Sequence, residues 1–180
     1  MSVFNTFIIL LTAFLLVVLQ AACNGVLGTQ IDLLPALMVY TSLTAGPLTI
    51  AALALGGGLW FDSLSANPLG LSVVPLVLIG CAILYRRELI LRNQSYAQFV
   101  IGTAASLGAP LVTLALLLTS GKTPLVGWGT VWQLTVMALI GGAATPAFAW
   151  LFGFIADMFN YRAVSSTSFR SDREIRRGRN

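Results

Sequence analysis

Histidine is absent from this 180-residue chain. That removes Ser-His nucleophilic catalysis, histidine-ligated zinc and histidine proton relays together. Cysteine is scarce, with only Cys23 and Cys81, both in apolar surroundings. Two cysteines make neither a four-ligand zinc site nor a disulfide framework. Charge is scarcer still. Charged residues make up 9% of the chain, where soluble domains carry about 25%. Lysine is limited to Lys122 and acids to six positions. No phosphate-cradling loop, redox motif or metal-ligand spacing is present. What fills the chain instead is hydrocarbon: 57% of residues are hydrophobic, and the mean hydropathy is +0.89. A soluble domain of this size could not cover its surface with so few charges. The composition implies an integral membrane protein whose solvent is mostly lipid.

A spanning helix needs roughly 20 apolar residues. Six segments are predicted: Val3–Ala22, Gly28–Leu43, Pro47–Leu64, Leu69–Tyr85, Tyr96–Thr119 and Trp128–Phe154. The second to fourth are short for straight spans. The turns between them are tight and carry Gly or Asn with Pro, at 44–47, 65–68 and 121–124. Pro47, Pro68 and Pro124 sit where a following helix can begin. Pro35, Pro75, Pro110 and Pro146 fall inside apolar runs, where kinks are expected. LeuGlnAlaAlaCys at 19–23 has the outline of a lipidation box. Gln20 stands where that box needs leucine, and no basic stretch precedes the apolar run, so an uncleaved first span is the better reading.

The basic residues set the topology. Arg86, Arg87 and Arg92 lie between the fourth and fifth segments. Arg162, Arg170, Arg173, Arg176, Arg177 and Arg179 follow the sixth. Two spans separate the clusters, so both fall on one side, and the positive-inside rule makes that side cytoplasmic. Both termini are then cytoplasmic. Trp60, Trp128 and Trp132 on the outer side, with Tyr85 and Trp150 on the inner, suit interfacial belts. Residues 1–161 are read as one transmembrane domain. Residues 162–180 are read as a basic tail too polar to fold alone. The tail fixes orientation, binds anionic lipid or binds a partner. Nucleic acid is not expected as a partner.

The stretch GLWFDSLSANPLG, residues 58–70, is the most informative. It places Asp62 at the edge of an apolar run, where a charge is costly unless it meets protein. On a helix Asp62 shares a face with Gly58, Ala54 and Ala51, small residues that admit a close neighbour. Two roles are open. Asp62 can clamp the third and fourth segments by accepting from free N–H groups at the next helix start, beside Asn67 as a cap. Alternatively it marks a polar spot for a ligand or partner. Asp32, on the same side, makes an acid dyad conceivable, but no glycine-aspartate motif surrounds either residue. Asp157 lies at the opposite face. The small clusters at 56–58, 102–105 and 141–144 suit close helix contacts.

These residues resemble a known family. IDLLPALMVY (31–40), GLWFDSLSANPLGLS (58–72), Leu19-Gln20 and YRRELILR (85–92) are similar to segments of the bacterial rod-shape-determining MreD family, over about residues 15–120. Two departures stand out: Ile31 where many members have proline, and a longer Arg-rich tail. The resemblance implies an all-α bundle of six transmembrane helices in the bacterial inner membrane. It implies a fold similar to the substrate-binding subunits of energy-coupling-factor vitamin transporters. It implies a non-enzymatic scaffold without cofactor or metal. Its partners would be MreC, the glycosyltransferase RodA, a penicillin-binding transpeptidase and the MreB filament. Asp32, Gly58, Asp62, Ser65, Pro68 and Gly70 would shape the site, with Arg86, Arg87, Arg92, Arg173, Arg176 and Arg177 at the cytoplasmic face. The rival expectation is a transporter subunit with an outward-facing pocket near Asp32 and Asp62. Such subunits often dock their partner with an Ala-x-x-x-Ala stripe, which Ala13, Ala21 and Ala22 do not provide.

Overall fold

The computed structural model describes residues 3–27, 32–65, 68–86, 95–121 and 127–160. These contain six α-helices and no strand. They are α1 (Val3–Leu27), α2 (Leu34–Thr44), α3 (Pro47–Leu64), α4 (Val73–Arg86), α5 (Ser95–Thr119) and α6 (Trp128–Asn160). Asn67, Lys122, Pro124, Arg87, Arg92 and the tail with Arg173, Arg176 and Arg177 lie outside the described residues. Among the described residues, three helices are long and apolar enough to cross a membrane: α3, α5 and α6 over Trp128–Ala156.

Proline placement explains two shifted boundaries. Pro35 and Pro75 do not kink helices. Both fall in first turns, of α2 and α4, where the missing N–H has no intrahelical partner to lose. The second helix therefore starts at Leu34, not Gly28, and the fourth at Val73, not Leu69. Pro110 and Pro146 do lie inside helices.

The chain divides into two compact units, residues 1–149 and 150–180. In the first, α2 is the centre, in contact with α1, α3, α4 and α5. Every residue from Leu34 to Val39 is buried, as are Thr41, Ser42 and Leu43. A helix that is apolar all round belongs inside. Its 11 residues rise only about 16 Å, half a hydrocarbon core. Thr41 and Ser42 donate to the Leu37 and Met38 carbonyls one turn back, so their burial leaves no hydroxyl orphaned.

Small residues set how closely the helices approach. α1 and α3 run parallel, with the Thr6 and Thr49 hydroxyls 3.0 Å apart and Phe14 edge-on to Trp60 at 5.3 Å. α4 runs antiparallel to α3: Gly58 lies against the backbone of Val73, and Gly80 against Ile50 and Met38. α5 and α6 are antiparallel, with Gly102 against Thr145, Gly141 against Ser106 and Gly142 against Thr103. Val39, Leu43, Ile83 and Ala105 join α2, α4 and α5 in one apolar cluster. The outside is apolar too: Leu48, Leu55 and Leu59 form an exposed stripe along α3, and Leu111 and Leu118 are exposed on α5. In the second unit, the Trp150 and Phe154 rings stack at 6.0 Å.

The α3–α4 turn depends on Gly70, whose φ of 88° lies in the left-handed region. A side chain there is strained even though space is open. Gly70→Ala should cost about 1 kcal/mol, read as a lowered melting temperature of the detergent-solubilised protein, and Gly70→Asn should cost less.

Candidate functional site

The site begins with a turn. α3 ends at Leu64, and Ser65 closes it by donating from its N–H (3.3 Å) and its hydroxyl (3.4 Å) to the Asp62 carbonyl. Leu71 N–H donates to the exposed Pro68 carbonyl (3.2 Å), and Gly70 reverses the chain. That brings Ser72 back beside Asp62, ten residues away in sequence. The Ser72 N–H donates to Asp62 Oδ2 at 3.1 Å, and the Ser72 hydroxyl donates to Asp62 Oδ1 at 2.6 Å. Gly58, one turn before Asp62, lets Val73 come close enough for this.

Asp62 is 2% exposed. Both its oxygens are engaged by the residue just before α4, where helix N–H groups favour negative charge. Of the two roles open from the sequence, the geometry is that of a clamp, with Ser72 as the donor in place of the N–H groups expected directly after Asn67. One detail differs: Ala51 is exposed, so the face shared by Asp62, Gly58 and Ala54 does not extend to it. The buried face winds around α3, passing through Leu53, Ile50 and Thr49 instead.

Asp32 stands at the start of α2, and its Oδ1 accepts from the Leu34 N–H at 2.9 Å. Burial pushes its carboxyl up from 3.8 to about 6. The Leu34 hydrogen bond pulls it down, and the nearby charge of Asp62 adds to the rise. Each carboxyl is thus held by its own donors, and the electrostatic link between them is the weakest of the three causes. That is not the arrangement of two acids sharing a proton.

The native state binds the Asp32 proton more tightly than the unfolded chain, so stability falls as pH rises from about 4 to about 6. The full shift corresponds to up to about 3 kcal/mol at neutral pH, which solvent reaching the carboxyl reduces to about 1–2 kcal/mol. Asp32→Asn keeps an acceptor for Leu34 and removes the charge. It should melt higher than the parent at pH 7.5 and about equally at pH 4. Equal melting at both pH values would contradict the placement.

Asp32 and Ser72 border a cavity of about 190 Å³. Thr113, Leu114 and Leu117 of α5 and Met137 of α6 line it on one side, and Phe61, Pro75 and Leu76 of α3 and α4 also border it. A second cavity of about 180 Å³ continues it between α5 and α6, sharing Pro110, Leu114 and Met137. Sequence reading missed these α5 and α6 residues. Pro110 was the available signal. It has no N–H for the Ser106 carbonyl, and it lines both cavities.

Among the described residues, two buried side chains lack partners: both amide atoms of Gln20, on the α1 stripe of Ile9, Ala13 and Val17, and the Ser106 hydroxyl facing Gly141. At the other end of α4, Arg86 is exposed and lies 5.9 Å over the Tyr85 ring. Among the described residues no three metal-ligating side chains come together. The described site can clamp a helical hairpin, and beside that clamp it offers an acid-tipped recess of apolar side chains with the Ser72 and Thr113 hydroxyls. No protein-family model matches the chain, and neither a curated protein nor a solved structure does.

Proposed function

We propose that this chain is a non-enzymatic scaffold of the bacterial cell-wall elongation machinery. It maintains rod shape by holding MreC and, through it, RodA, the penicillin-binding transpeptidase and the MreB filament. In this reading it is an MreD-type protein of the inner membrane with six spans. The short α2 and α4 complete the crossing inside the bundle, and both termini face the cytoplasm. The observation that carries the reading is the Asp62–Ser72 clamp. Of the residues on which the family resemblance rests, Gly58 and Asp62 are buried at the α3–α4 contact, and Ser65 and Gly70 shape the turn that closes it. A catalytically bare bundle with glycine-set packing presents a rigid, apolar exterior to membrane neighbours. Depleting the chain from its native bacterium should turn rods into spheres. The parent gene should restore the rods, and Asp62→Ala should fail to do so while still reaching the membrane. Rods that persist through depletion would end the proposal.

A second reading is favoured by one observation, the cavity beside Asp32. It makes the chain a substrate-binding subunit of a vitamin transporter. A small molecule retained at one per chain through purification would support it.

A further inference from the structure

We propose that the recess beside Asp32 and its continuation between α5 and α6 form one trough for a membrane lipid with a primary ammonium headgroup, of the phosphatidylethanolamine class. The inference does not rest on the scaffold reading. It needs only the trough.

The charge of the headgroup follows from the lining. Among the described residues, Asp32 is the one ionisable group that borders either cavity, and no basic residue does. Its known partner is a neutral backbone N–H. A carboxylate against apolar walls is stabilised by a cation that brings its own hydrogen-bond donors. An ammonium supplies three. Two hydroxyl-bearing residues line the same recess as Asp32 and can accept the remainder: Ser72, which donates its proton to Asp62, and Thr113, which donates to the Ala109 carbonyl. Each retains lone pairs.

The tail follows from the rest of the wall. Leu114 and Met137 run through both cavities, with Leu117 beside the first and Leu134 beside the second. Leu111, half exposed on the outside of α5, borders the second cavity, so the trough reaches the face where lipid chains lie. Its volume argues for a chain over a fused-ring substrate. An apolar cavity of about 150 Å³ takes benzene, and each half is little larger. A single hydrocarbon chain can thread two such chambers in sequence.

The full chain, delipidated in mild detergent, is titrated with dioleoyl phosphatidylethanolamine, with dioleoyl phosphatidylglycerol and with free ethanolamine. Retention is read by native mass spectrometry. The parent should hold the ethanolamine lipid about tenfold more strongly than the glycerol lipid, a 1.4 kcal/mol preference, and free ethanolamine should not displace it. Asp32→Asn, which preserves the cap on Leu34, should bring the two lipids level. Leu114→Trp, checked for an unchanged melt, should weaken both by about tenfold. Equal retention by the parent, or a preference that survives Asp32→Asn, would overturn the headgroup assignment. Displacement by free ethanolamine at matching concentration would overturn the lipid and leave a soluble amine. Either failure leaves recovery of MreC as a separate question.

Discussion

Asp62→Ala lowers the unfolding free energy by about 2–4 kcal/mol, because it orphans two buried donors, each worth about 1–3 kcal/mol when left unpaired. Those donors are the N–H and the hydroxyl of Ser72, itself buried. The removal of a buried charge returns part of the loss, which is why the estimate stays below the sum of two full penalties. Asp62→Asn keeps one acceptor and should cost about half as much. Ser72→Ala removes only the hydroxyl bond at 2.6 Å and should cost about 1.5–2 kcal/mol, as expected for a bond to a charged group. The double variant is the decisive one. If Asp62 and Ser72 form one clamp, their effects overlap, and the double-mutant cycle shows at least about 1 kcal/mol of coupling. Melting curves or denaturant titrations in a fixed detergent measure all four proteins. Strictly additive losses would mean that Asp62 and Ser72 stabilise the fold independently.

Gly58→Ala is expected to be as damaging, although it adds a single methyl group. A Cβ there would sit 2.8 Å from Val73 Cγ2 and 3.0 Å from the Val73 backbone. The side chain can turn away, but the backbone cannot without moving α4. Overpacking of this kind costs about 1–3 kcal/mol, and it also displaces Ser72, Val73's neighbour, from Asp62. The loss should therefore couple to Asp62→Ala. Gly108→Ala on α5 is the control, since nothing lies within 4 Å of its added Cβ. Removing a glycine from an uncrowded helix interior should stabilise by about 0.5–1 kcal/mol. Opposite signs at Gly58 and Gly108 would show that glycine here is a packing residue in one place and a passive one in the other. Equal signs would place α3 and α4 further apart.

The third helix was the most legible in the sequence, and punctuation is the reason. Gly46-Pro47 starts α3 at the expected residue, and Ser65 follows its last residue, Leu64. The end of α5 at Thr119 and the start of α6 at Trp128 also fall at the expected residues, and α5 starts one residue earlier than expected, at Ser95. The failures cluster where a proline had two readings. Pro35 and Pro75 are expected as interior kinks, yet each lies in a first turn, three residues after a polar side chain that bonds at the helix start. Asp32 caps Leu34, and Ser72 meets Asp62. Treating Asp32 and Ser72 as helix-start signals places α2 and α4 correctly. The Asp62 clamp was legible because an isolated acid beside small residues has few inexpensive fates in an apolar chain. The cavity was not legible. Its wall is assembled from Asp32, Ser72, Thr113 and Met137, residues from four separate helix regions, and no local pattern marks a void between them. Ala51 was misplaced because helical register assumes a fixed buried face, and the face of α3 turns as its neighbours change.

The most direct test of the scaffold proposal is recovery of the tagged chain from its native membrane in mild detergent, with co-purifying proteins identified by mass spectrometry. MreC, RodA and the penicillin-binding transpeptidase should come with the parent chain and should be lost with Asp62→Ala. An ATPase pair with a transmembrane coupler in their place, and no MreC, would contradict the proposal and make the chain a transport subunit.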